Sequence, residues 1–115
     1  MRLKSEFWVK GYLRRCAVAG APAVVVHRGD PDAGAIYISI DRLDGTVSLY
    51  GPAPAGLDSA DEDRQWIRMG TAEVITSADA HALLARQLDF DSDIWIVEVE
   101  ERQGRHFLDD ALLAG

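Results

Sequence analysis

The sequence predicts an α+β fold, a single antiparallel sheet of about five to six strands with two helices packed on one of its faces. Three observations lead there. Between Ala23 and Gly51, three β-branched runs are separated by two turn signals. In the middle run Ile36, Ile38 and Ile40 alternate with Tyr37, Ser39 and Asp41, the period-2 signature of a strand with one buried face. The order α-βββ-β-α-ββ has too few helices between its strands for a parallel sheet, which needs helical crossovers.

Taken in order, Ser5 is the expected N-cap of a first helix reaching about Ala19, with Gly20 and Pro22 as stop signals. Val9, Tyr12, Leu13, Cys16 and Gly20 fall on one helical face, flanked by Phe7 and Trp8, while Glu6, Lys10 and Arg14 line the other. Strands over 23–28, 35–42 and 46–51 follow as a meander, the last two joined at Asp44-Gly45, which supplies two left-handed positions for a tight hairpin. Pro52 to Asp63 is rich in proline, glycine, alanine and acid and reads as the longest irregular segment. Gln65 to Met69 resumes alternation as a short strand. Thr76-Ser77 precedes a second helix, about Ala78 to Leu88, with Leu83, Leu84 and Leu88 as its buried stripe. Ile94 to Glu101 is a strong strand with Trp95, Val97 and Val99 on one face. Arg102 to Arg105 then turns into a final strand, His106 to Leu108, completing a C-terminal hairpin. Helices on the isoleucine and valine rows would leave Tyr37, Tyr50 and Trp66 on the other face.

Bulk properties narrow the function class. A chain of 115 residues fits one domain spanning 1–115. A net charge of −7 argues against general nucleic-acid binding, which needs clustered lysine and arginine. No apolar run approaches the ~20 residues that span a bilayer, and Lys10, Arg14 and Arg15 interrupt the N-terminal segment, so no membrane association and no signal peptide are expected. The expected location is the cytoplasm. The single cysteine, Cys16, reads as a small hydrophobe in a helix. Residues 1–15 are basic on an otherwise acidic chain, which reads mainly as complement to the body's own field.

The candidate chemistry is sparse. Arg28-Gly29-Asp30-Pro31-Asp32-Ala33-Gly34 offers two carboxylates beside an arginine, although Asp-Pro and glycine are first of all turn formers. Asp89, Asp91 and Asp93 imitate a calcium loop, but Ile94 stands where that loop demands glycine and a strand follows, so no metal site is expected. His27, His81 and His106 share no metal-ligand spacing. No nucleophile elbow and no phosphate-binding glycine loop occur, so neither a catalytic residue nor a cofactor is assigned. Arg28, Arg42, Arg64, Arg68, Arg102 and Arg105 form a loose set near strand ends, suited to anion contacts or to ordinary surface pairs.

The segments FWVKGYLRRC, HRGDPDAGAIYI, LYGPAP and FDSDIWIVEVEERQGRHFL resemble those of a family of small uncharacterised proteins of alphaproteobacterial type, catalogued as a domain of unknown function. The resemblance runs over nearly the whole chain. It implies a bacterial cytosolic protein of one domain and brings no activity, cofactor or site residue with it.

Two readings of function remain. The first is a non-catalytic binding or regulatory module working through protein–protein contacts, self-association among them, with Trp8, Tyr37, Tyr50 and Trp66 as anchor candidates. The second is a small-ligand protein or minor enzyme for an anionic metabolite or nucleotide, with Arg28, Asp30 and Asp32 meeting Arg68 or Arg105 in one pocket.

Overall fold

The computed structural model describes residues 2–54 and 64–113, so most of the Pro52–Asp63 irregular segment lies outside the described residues. α1 spans Ser5–Val18 and buries Ser5, Val9, Tyr12 and Cys16, the stripe its periodicity predicts. Its start differs from expectation: Lys4 occupies the N-cap without a side-chain bond. The orphan N–H groups of Ser5 and Glu6 instead donate to the carbonyls of Asp32 (3.2 Å) and Pro31 (2.9 Å), so a loop from elsewhere does the capping. Freed from that task, Ser5 Oγ donates to the Gly34 carbonyl at 2.7 Å. The helix ends as predicted. Gly20 takes φ +79°, its N–H bonds to Ala17 O and that of Ala21 to Cys16 O, the paired bonds of a Schellman stop.

The strands are β1 Ala23–His27, β2 Ile36–Asp41, β3 Thr46–Pro52, β4 Trp66–Met69, β5 Ile75–Thr76 and β6 Trp95–Glu100, with α2 over Ser77–Phe90 between the last two. The fold is α+β, as predicted: two helices and six strands in one open sheet among the described residues. Its order, β1-β6-β2-β3-β4 with β5 also on β3, corrects the expected meander. β6 inserts between β1 and β2, antiparallel to β1 and parallel to β2, so the sheet is mixed. The β1–β2 connection is therefore a loop that steps over a strand, while β2 and β3 form a true hairpin. That hairpin closes on Arg42 N–H to Thr46 O. Its left-handed residues are Leu43 (φ 62°) and Gly45 (φ 88°), a three-residue loop in place of the tight Asp44-Gly45 turn.

No strand forms over His106 to Leu108. β6 already has a partner on each edge, so a returning hairpin has nothing to pair with, and Phe107 turns away at φ 59°. Tyr12 Oη and Arg15 Nη1 draw the tail onto α1 by donating to the carbonyls of His106 (2.7 Å) and Phe107 (2.6 Å). The tail then reaches β4, where Leu113 N–H donates to Trp66 O at 2.9 Å.

The helices lie on opposite faces, not on one. α1 packs Val9, Tyr12 and Cys16 on the row Ile36, Ile38, Ile40, Trp95, Val97 and Val99. α2 sets Ala80, Leu83 and Leu84 on Val47, Leu49 and Ile75, and Leu84 and Leu88 on Tyr37, Ile94 and Ile96. The physical reason is that both sides of the central strands are apolar: in β2 every residue from Ile36 to Ile40 is buried. A sheet with two apolar faces needs cover on each. Thr76 caps α2, accepting from Asp79 N–H at 3.0 Å, and the helix begins at Ser77, one residue before the expected Ala78.

Candidate functional site

Among the sequence candidates, Arg28, Asp30 and Asp32 stay together where β1 hands over to β2. Asp30 Oδ2 accepts the N–H groups of Asp32 (3.2 Å) and Ala33 (2.8 Å), an Asx turn. Its backbone is tied to the start of β6: Asp30 N–H donates to Asp93 O at 2.9 Å, and Trp95 Nε1 donates to Asp30 O at 2.7 Å. Arg28 bonds Glu6 Oε2 at 2.6 Å and lies 5.2 Å over the Trp95 ring, and Lys4 approaches Asp32 at 3.6 Å. The cluster binds α1 and β6 to the loop; its polar groups already have partners within the chain.

Arg68 and Arg105 are not brought to that cluster. Arg105 follows the far end of β6, whose six residues span about 20 Å in extended form, while Asp30 sits at the near end. Arg68 stands on β4, in register with Tyr50.

Arg105 has a local task with Glu101, a buried carboxylate at the turn after β6. Burial works against ionisation there. It is outweighed by the N–H of Arg105, the Arg105 guanidinium and the N–H of Gln103, and the carboxyl is held below its ordinary range. A lowered folded-state value means that this carboxylate adds stability above the unfolded carboxyl value of about 4.3, and that the increment is lost as pH falls through the folded value. Glu101→Gln is therefore expected to be less stable than wild type at pH 7 and to converge with it below about pH 4. Urea melts from pH 7 to pH 2.5 check this, and a constant gap across that range would refute it.

The four aromatic anchor candidates turn out to be interior or nearly so. Trp66 is 1% exposed, Tyr50 and Tyr37 are buried and Trp8 is half-buried. Trp8 stacks on Tyr12 (ring centroids 5.1 Å apart) and on Trp66 (4.4 Å). The Trp66 Nε1 donates to Ile36 O at 3.0 Å. Tyr50 meets the His106 ring edge-on at 5.4 Å, and burial there keeps His106 below its ordinary value, hence neutral. Tyr37 lies beneath α2 and donates to Gln87 Oε1 at 3.0 Å.

The open surface is elsewhere. α2 lies over β3, β5 and β2 and also covers Ile94 and Ile96 at the start of β6, which are 1% and 4% exposed. Beside the helix runs a groove of about 280 Å³, lined by Leu84, Ala85 and Leu88 of α2 and by Val26, Asp41 and Glu98 on the sheet side. Val24 and Val26 are 57% and 59% exposed. Val24 is in register with Glu98 and so shares the groove's face. β1 is also the sheet's edge, and a bulge at Val26 breaks its register with β6. It carries no proline, lysine or acid between Ala23 and His27, the residues that usually protect an edge. The opposite edge, β4, is partly covered by Leu112 and Leu113. Nothing local in the run Ala23–His27 marks β1 as an edge, because its partner β6 lies far along the chain. No group of three or more metal-ligating side chains occurs among the described residues, and no helix among them is long and apolar enough to cross a membrane.

Residues 3–109 match the family model described as "Protein of unknown function (DUF1491)". Solved structures of similar chains agree. A crystal structure of a DUF1491 family protein from Caulobacter crescentus is 34% identical, with a TM-score of 0.81 over 99% of this chain and 100% of that one. An NMR structure of a DUF1491 family protein from Caulobacter crescentus is 36% identical, with a TM-score of 0.80 over 99% of each chain. A solution structure of a protein from A. tumefaciens is 38% identical, with a TM-score of 0.75 over 88% of this chain and 87% of that one. No curated protein matches the chain.

Proposed function

The chain belongs to the DUF1491 family of proteins of unknown function, and from that footing we propose that it is a non-catalytic binding module that holds another polypeptide along β1 and the outer end of β6, beyond the cover of α2. The observation that carries this is the exposed pair Val24 and Val26 on an uncharged edge strand, bordering an apolar-floored groove. Single exposed apolar residues are ordinary on any surface; two on one strand beside a groove form a patch of the kind that marks a contact site. The edge favours the same reading, since one rim of the sheet is partly covered by Leu112 and Leu113 and, among the described residues, the other is not.

The test is a pair of charged edge residues. V24K/V26K is expected to fold like wild type, because both side chains are already in water and such substitutions usually change stability by less than about 0.5 kcal/mol. Immobilised wild type and variant are exposed to lysate of the native cell. The expected result is a polypeptide retained by wild type and missing from the variant. Retention of the same polypeptides by both proteins, with unchanged melting, would defeat the proposal.

A further inference from the structure

Resting on that reading of the open half-face, we infer that its occupant is an amphipathic helix of a partner protein with lysine or arginine along its flank. The dimensions favour a helix. The uncovered strip, β1 with the Glu98–Glu100 end of β6, is about 10 Å wide at that end, and the five residues of β1 run about 17 Å, the length of roughly eleven helical residues. α2 forms one wall and turns Ser77, His81, Ala85 and Leu88 toward the groove, which succeed one another at spacings of four, four and three along the helix. Its small members, Ser77 and Ala85, let a second helix approach at about 8–10 Å. A strand added to the edge of β1 would satisfy that edge but would leave the groove between Val26 and Leu88 unfilled.

Charge settles the flank. Asp41 and Glu98 line the groove and no lysine or arginine does so among the described residues. Glu100 lies two residues beyond Glu98 on the same side of β6 and is exposed. Asp41, Glu98 and Glu100 have no ion pair among the described residues. An apolar floor with an acidic rim and no lysine or arginine in its lining is complementary to a basic, amphipathic helix and repels an acidic one.

The experiment uses fluorescein-labelled 16-residue peptides read by anisotropy against the full chain: a leucine-faced helix with lysine flanks, the same helix with glutamate flanks, and a scrambled lysine peptide without an apolar face. The lysine helix is expected to bind at least about tenfold more tightly than either control and to weaken several-fold as salt rises from 50 to about 300 mM. E98Q/E100Q should lose several-fold of that affinity, and V24K/V26K nearly all of it. Equal binding of lysine and glutamate helices, equal binding of the scramble, or no binding at all overturns the inference. So does a mass doubling in light scattering that V24K/V26K abolishes, since the occupant would then be a second copy. If the lysate partner is lost on V24K/V26K while the peptides show no preference, the binding-module reading survives and the basic helix does not. If the lysate experiment is also negative, both are lost.

Discussion

Gly29→Ala is expected to destabilise the protein by about 3 kcal/mol or more, because a clash of Cβ with backbone has no rotamer escape. A Cβ at Gly29 would lie 2.5 Å from the Ile94 carbonyl carbon and 2.6 Å from its oxygen, with the Asp93 carbonyl oxygen nearer still. Gly34 meets the same Asp93 carbonyl, and its Cβ would also approach Asp30 O at 2.9 Å. The two glycines let the β1–β2 loop lie flat against the start of β6, where Asp30 N–H and Trp95 Nε1 make the bonds that hold it. The same loop presents Pro31 and Asp32 carbonyls to α1. Displacing it therefore loosens the helix start and the strand order together. For a domain of this size the loss corresponds to a fall in Tm on the order of 10 °C or more. Thermal denaturation followed by circular dichroism measures it; a variant melting within 2 °C or so of wild type would show that the loop can lift off without cost.

Trp66→Ala should be nearly as damaging, at about 3–5 kcal/mol. The indole is 1% exposed, packs against Trp8 and satisfies the Ile36 carbonyl through Nε1. Removing it opens a cavity between α1 and the sheet and leaves a buried acceptor without a donor. Trp66→Phe separates the two contributions: it restores most of the volume and should recover more than half of the loss. The measurement also decides between two roles for this residue. A partner-binding anchor on a bare face would lose affinity and keep its melting temperature, whereas the packing described above requires the melting temperature to fall. Chemical denaturation of the two variants at pH 7 distinguishes them.

Much of the fold was legible because it depends on neighbours in sequence. The buried stripe of α1, the Gly20 stop, the Thr76 cap and the alternation of β2 and β6 all follow from local spacing, and each occurs where the residues indicate. The RGDPDAG segment was legible as a turn for the same reason, since Asp30 bonds its own downstream backbone. The candidate surface was not. Val24 and Val26 alternate with Val25 like any strand residues, and nothing local tells an edge from a centre. Likewise Tyr37 looked available only while both helices were placed on one face, whereas Tyr50, in register with Ile38, and Trp66 share the isoleucine face and pack beneath α1.

The amino-acid order by itself determined which segments are helices and strands, and which side chains share a face, because dihedral preference and periodicity act over a few residues. Tertiary packing decided that β6 enters beside β2, that the helices take opposite faces, and that β1 is left as an uncovered rim. Those choices depend on burying Trp95, Val97, Ile96 and Ile94 from both sides at once, and a free energy summed over contacts some sixty residues apart in the chain leaves no mark in any short window of it.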